Sequence, residues 1–218
     1  MATQKINIPK LGIFLGLIAA LAAGLLAWVS SSTEEAIAAN LQKKTNTALK
    51  QVLPPFDNDP SAETVQLDAP EGWPIKFYIA RNGGKVVGFA GEVITPEGFS
   101  GDVTVMVGLN PDASVRKVIV TAQNETPGLG TAVTDRKLQK TLSGLLSGKK
   151  AADGLPPNRY LDWYDSQKAG SERWPIIKDG EKINAKTGAT ITSRAIDGAI
   201  FAVARTASDH MKELISQK

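Results

Sequence analysis

The first long apolar run is residues 11–29, LGIFLGLIAALAAGLLAWV, which carries no charge and nothing more polar than Gly or Trp. Nineteen helical residues at about 1.5 Å each reach across the roughly 30 Å hydrocarbon core of a bilayer. Lys5 and Lys10 precede the run, and Glu34 and Glu35 follow it. Basic residues on the near side predict an amino terminus inside and the rest of the chain outside. Trp28, near the far end, suits the interface. The apolar region of a cleaved signal peptide is shorter, about 7–15 residues. The nearest small-x-small site beyond the run, Ala36-Ile37-Ala38, also lies far downstream. The pattern predicts a retained transmembrane helix.

From Thr33 to about Val52, Ile37, Leu41, Ala48 and Val52 fit a stalk-like helix. The stretch 53–63, LPPFDNDPSAE, ends it and marks a linker. Beyond this the apolar period shortens to two. PIKFYIARNGGKVVGFAGEVI reads as two strands joined at Asn82-Gly83-Gly84, and GDVTVMVGLNPDASVRKVIVTAQ as two more joined through Asn110-Pro111-Asp112. Residues 64–123 are thus expected to form an antiparallel sheet. A loop rich in Gly and Pro follows at 124–133, then a helix over 134–147, an irregular stretch with Trp163 and Tyr164, and a short strand at Ile176-Ile177. From about Ser193, Ile196, Ala199, Ile200, Val203, Ala207, Met211 and Leu214 trace a long amphipathic helix. The fold class expected is α+β: one transmembrane helix, then an antiparallel-sheet domain with packed helices. Its divisions are a cytoplasmic tail at 1–10, the span at 11–29, a stalk and linker at 30–63, and an extracytoplasmic domain at 64–218.

Charge narrows the choices. Lys and Arg number 25 against 22 Asp and Glu, a net +3, and Lys5 and Lys10 supply most of that excess. No basic tract remains to bind nucleic acid. The chain has no Cys and one His, His210, which removes disulfides, thiolate zinc sites and Cys-ligated iron–sulfur clusters. Redox chemistry, if any, must come from an organic cofactor.

SGLLSGKKA has a superficial likeness to a phosphate loop. Its glycines are too close, however, and Lys150 stands where Ser or Thr is needed. Trp163 and Tyr164 could stack on a ring or simply pack the domain. The remaining candidate is KINAKTGATITSRAIDGAI, with hydroxyls at Thr187, Thr190, Thr192 and Ser193 around Gly188-Ala189. One hydroxyl, on Thr192 or Ser193, would suffice as a helix cap. Four hydroxyls, a bare backbone and a helix start flanked by Lys186 and Arg194 suit an anionic group such as a phosphate. A Thr nucleophile for hydrolysis lacks a base nearby.

NAKTGATIT resembles the motif of the FMN-binding domain shared by the G-type subunit of the Rnf complex and the C-type subunit of the sodium-pumping NADH:quinone reductase. That family's motif opens with Asp where Asn184 stands here. GFSGDVTVMVGLN and, after it, NETPGLG resemble the family's approach to its flavin pocket loop. The resemblance covers nearly the whole chain, and its length favours the Rnf subunit. It implies a membrane-anchored electron-transfer subunit of an ion-translocating ferredoxin:NAD⁺ oxidoreductase, partnered by the other membrane subunits of the complex. A flavin transferase would attach FMN covalently to Thr190. Thr187, Gly188, Ala189 and Thr192 would surround the phosphate. Glu125, Thr126, Gly128 and Leu129, in the loop 125–130, would line the ring or ribityl chain. The alternatives are the quinone-reductase subunit and a non-redox, membrane-tethered binding or assembly protein.

With no Cys and one His, the purified single subunit should contain no stoichiometric iron and no tightly bound zinc. Metal analysis of the full-length chain checks this, and a mole of iron per mole of protein would refute it.

Overall fold

A computed structural model describes residues 8–136, 155–174 and 185–216. The chain divides into two units, residues 1–44 and 45–218. The first is the greater part of α1 (Ile8–Val52). Over 11–29 its apolar side chains are exposed, and the helix is long and apolar enough to cross a membrane. The serines after the apolar run do not stop it. Ser32 Oγ donates to Trp28 O at 2.8 Å and Thr33 Oγ1 to Val29 O at 2.9 Å, so the hydroxyls turn back onto the preceding turn instead of competing for the backbone. The expected span and stalk are accordingly one helix.

In the second unit, β1 (Thr64–Asp68), β2 (Pro74–Asn82), β3 (Lys85–Thr95), β4 (Val103–Leu109) and β5 (Val115–Ala122) form one antiparallel sheet in chain order. The Asn82↔Lys85 pair closes the first hairpin over Gly83 and Gly84, both at positive φ. Leu109↔Val115 closes the second. β1 is the strand that periodicity did not single out. It is a short polar edge, TVQLD, with only alternate positions half-buried, so it carries little apolar signal.

Both faces of the sheet are covered. On one lie Ala48, Leu49, Val52 and Leu53, packed on Tyr78, Ala80, Ala90 and Met106. On the other lies α4 (Thr190–Asp209), whose Ile196, Ala199, Ile200 and Val203 share a core with Phe77, Phe89, Val93, Val105 and Val107. Each approach needs a missing side chain. A Cβ on Gly108 would stand 2.3 Å from Val52 O, and one on Gly91 would stand 2.4 Å from Val203 Cγ1.

Among the described residues the remaining elements are α2 (Thr131–Thr134), α3 (Arg159–Asp162) and α5 (Met211–Ser216). The helix expected over 134–147 lies outside the described residues, apart from a start that the structure corrects: Thr134 ends the single turn α2, and Asp135 is extended. The strand at Ile176-Ile177 also lies outside them. The stretch expected to be irregular contains α3, which forms because Asn158 Oδ1 accepts from the Tyr160 and Leu161 N–H groups. The late helix begins earlier than expected, at Thr190, and breaks at His210 before α5 resumes. Trp163, Tyr164, Trp174 and Phe201 meet edge to face in series, with centroids 5.1, 5.3 and 5.5 Å apart. The two loop aromatics are therefore packing residues.

Beneath them Asp197, on α4, is 2% exposed. Tyr164 Oη donates to its Oδ1 at 2.9 Å, and Arg173 Nε lies 3.9 Å from its Oδ2. Burial pushes its carboxyl up from 3.8 to about 6, against the pull of Tyr164 and Arg173. The folded state thus binds this proton more tightly than the unfolded chain does. Stability from this group is full below about pH 4 and is lost as pH rises through about 6. The unfolding free energy of the wild type relative to Asp197→Asn should therefore fall by about 2 kcal/mol between pH 4 and pH 7. Denaturant titrations of both proteins across that range measure it.

Candidate cofactor-binding site

The first turn of α4 is built without a side-chain cap. Ala189 occupies the N-cap position and has no acceptor to offer. Gly188, at φ +85°, turns the chain so that the Ala189 N–H reaches Lys186 O at 2.9 Å. The expectation that Thr192 or Ser193 caps the helix fails because the helix has already begun at Thr190. Ser193 Oγ donates back to Ala189 O at 2.8 Å. Thr192, 1% exposed, donates through Oγ1 to Glu125 Oε2 at 2.8 Å. The four hydroxyls therefore divide in two: Thr192 and Ser193 are buried and bonded, Thr187 is exposed and Thr190 half-buried. The N–H groups of the first helical turn have no intrahelical partners, and they sit at the positive end of a 20-residue helix.

The loop 125–130 folds onto the same place. Gly128 takes φ +78°, its N–H donates to Thr131 Oγ1 at 2.9 Å, and the Thr131 N–H returns to Thr126 O at 3.3 Å. Lys186 Nζ then donates to Gly128 O at 2.5 Å. Leu129 Cδ2 lies 3.3 Å from where a Cβ on Gly188 would be. Thr126, Gly128 and Leu129 face solvent, whereas Glu125 is 5% exposed and turned inward. The two stretches singled out by sequence, 58 residues apart at the Gly128–Lys186 contact, form one site.

A third segment joins them. The Ser100 N–H donates to Glu125 Oε1 at 3.3 Å, which pins the loop carrying Phe99, 65% exposed. Phe99, Leu129 and Ile191 are large apolar side chains left in water on the three segments that meet at Glu125. Sequence reasoning assigned no role to Phe99 or Ile191. An aromatic in a turn of Gly and Ser was the available signal for Phe99, and Ile191 gave none. Asn184 lies outside the described residues. Backbone N–H groups without intrahelical partners, a nearby Lys and an apolar rim together suit a ligand with a phosphate and a flat apolar body.

Comparison with known proteins agrees. Residues 98–204 match the FMN-binding domain, and residues 1–52 match the RnfG N-terminal region. The loop at 98–100, β4, β5, the loop 125–130 and most of α4 thus lie within an FMN-binding domain that follows an apolar amino-terminal helix. The chain belongs to the RnfG family, the G subunits of ion-translocating oxidoreductase complexes. It is 32% identical over 213 residues to the G subunit from Photorhabdus laumondii, covering 94% of each chain. It is 30% identical over 219 residues to the one from Shewanella piezotolerans, covering 98% of this chain and 95% of the relative. With a Vibrio cholerae counterpart it shares 30% over 215 residues, 96% of this chain and 95% of the relative.

No atom lies within 4 Å of a Cβ built on Gly128, so only its φ of +78° resists substitution. Left-handed backbone costs an L residue about 1–2 kcal/mol, and a β-branched one more. Gly128→Val should lower the thermal midpoint of the domain by about 5 °C by opening the turn that presents Gly128 O to Lys186. Calorimetry measures this, and an unchanged midpoint would contradict the turn.

Proposed function

We propose that this chain is the flavin-carrying, membrane-anchored electron-transfer subunit of an Rnf-type ferredoxin:NAD⁺ oxidoreductase coupled to Na⁺ or H⁺ translocation. On this reading FMN is held covalently, as a phosphoester on Thr190. One observation carries the assignment to Thr190. Among the four hydroxyls it is the one that is both accessible and within the uncapped first turn of α4. Thr187 is accessible but lies before the Gly188 turn, and Thr192 and Ser193 are committed to Glu125 and Ala189.

The residues fit the group in three ways. The small Gly188-Ala189 pair leaves room for a phosphate beside the helix start, and the N–H groups of the first turn can donate to it. Lys186, already fixed on Gly128 O, adds positive charge nearby. Thr126, Leu129, Phe99 and Ile191 offer solvent-facing surface to the rest of the cofactor. Bound there, a flavin supplies one- and two-electron transfer, and the protein supplies position and electrostatics. No side chain is needed as acid or base.

The anchor completes the reading. Residues 1–10 lie in the cytoplasm, 11–29 span the membrane, 30–63 serve as stalk and linker, and 64–218 form the extracytoplasmic domain, as Lys5 and Lys10 before the span favour. The other membrane subunits of the complex are its partners, and a flavin transferase attaches the cofactor.

The test is peptide mass mapping after expression with an active transferase. The intact wild type should be heavier than its sequence by one FMN less a water, with the increment on the peptide containing Thr190. Thr190→Val, nearly isosteric but without an oxygen to esterify, should fold and carry no flavin. Thr187→Ala should keep it. Flavin on Thr187 instead would refute the placement, and no flavin on any peptide would refute the function.

A further inference from the structure

Glu125 is a carboxylate in a place that charges avoid unless they are held. Its side chain is enclosed by two glycines. A Cβ on Gly130 would lie 2.5 Å from Oε2, and one on Gly98 would lie 2.9 Å from Oε1. Its two oxygens divide between two elements: Oε2 accepts from Thr192 Oγ1 on α4, and Oε1 from the Ser100 N–H of the loop after β3. The loop 125–130 supplies the residue itself. Three segments from distant parts of the chain are thus registered on one carboxylate, and all three border the attachment site. Glu125 faces inward while Thr126 and Leu129 face out, so its reach is toward Thr192 and not toward the surface where a cofactor would lie.

We infer that Glu125 is a positioning residue for flavin attachment, acting through Thr192 to hold the first turn of α4 against the loops at 98–100 and 125–130. The inference rests on the reading that Thr190 carries FMN. Thr192 is two residues after Thr190 in the same helical turn. Anchoring its hydroxyl fixes the rotation of that turn, and with it the direction of Thr190 Oγ1 and of the N–H groups beside it. The same bond keeps the Thr192 hydroxyl itself out of the transferase's reach, so one interaction both presents the acceptor and withholds its neighbour. Apart from it, the Lys186–Gly128 contact ties the loop to the segment before α4, and Leu129 Cδ2 lies close to the Gly188 turn.

The experiment uses the full-length chain in detergent, expressed without flavin and then treated with limiting purified transferase and its flavin donor. Attachment at Thr190 is timed by peptide mass, and the visible spectrum and midpoint potential of the product are recorded. Thr192→Val keeps the volume and removes the donor, Thr192→Ser keeps the donor, and Glu125→Leu removes the acceptor. Loss of one hydrogen bond to a buried charge is worth about a tenfold change in a rate that depends on it. Thr192→Val and Glu125→Leu should therefore flavinylate about tenfold more slowly, with a shifted midpoint potential, while Thr192→Ser stays near the wild type. Circular dichroism at the assay temperature establishes which variants are folded. If Glu125→Leu is not, the Val and Ser pair at 192 decides. Wild-type rate and potential in folded Thr192→Val would overturn the inference, as would a Thr192→Ser variant as slow as Thr192→Val. Failure of the wild type itself to take flavin on Thr190 would instead refute the underlying reading.

Discussion

The central strands of the sheet leave neither face to water. β4, VTVMVGL, is buried along nearly its whole length, and the middle of β3 is buried on both sides. A single covering helix would leave one apolar face exposed, so the chain must supply cover twice. It does so with elements from its two extremes, the last turns of α1 and the late helix α4. Gly108 and Gly91 let each come down to backbone contact distance. What looks like an appendage to the domain, the helix leading out of the apolar segment, contributes Leu49 and Val52 to its core.

The position of the site follows from that packing. α4 is buried over most of its surface, through Ala195, Ile196, Ala199, Ile200 and Val203, so its axis is fixed by the sheet. Its first turn is then free to be shaped by loops, and the bond from Thr192 to Glu125 shapes it. A fixed helix delivers a backbone terminus, and among the described residues Thr187, Thr190 and the apolar rim keep side-chain freedom. Precision is inherited from the scaffold and not from the loops.

Legibility differed by kind of signal. The apolar run at 11–29, the hairpin turn at Asn82-Gly83-Gly84 and the two loop motifs could be read because each rests on local chemistry. β1 could not, since a polar edge strand is defined by its neighbour and not by its own pattern. Span and stalk were read as separate segments, and one helix runs through both, with the Ser32 and Thr33 hydroxyls bonding back onto the preceding turn. Within the candidate site, sequence grouped four hydroxyls but could not distinguish them from one another. Only burial and partners separate Thr192 and Ser193 from Thr187 and Thr190. Glu125 was expected to line the ring or ribityl chain of FMN, and its side chain is buried against Thr192 and Ser100. No local pattern could show that, because the two glycines enclosing it are 27 residues before it and five after.

The electrostatics of the site also bear on why attachment should be covalent. A phosphate at the start of α4 would meet the helix dipole, worth about 0.3–1 kcal/mol at an exposed site, and Lys186, with Arg194 a few residues further along the helix. That lysine already spends a donor on Gly128 O, and the buried Glu125 carboxylate lies behind the same turn and opposes an anion. Sites that retain free nucleotides gather several cations and a closed glycine loop. Among the described residues Lys186 and Arg194 flank this one, and its apolar rim stands open to solvent at Phe99, Leu129 and Ile191. Such a site orients a phosphate better than it retains one. A phosphoester on Thr190, as proposed, removes the need for retention. It also leaves a single negative charge, which the helix terminus and Lys186 can balance. The open rim can then remain exposed, as an electron carrier that must be approached by partners requires.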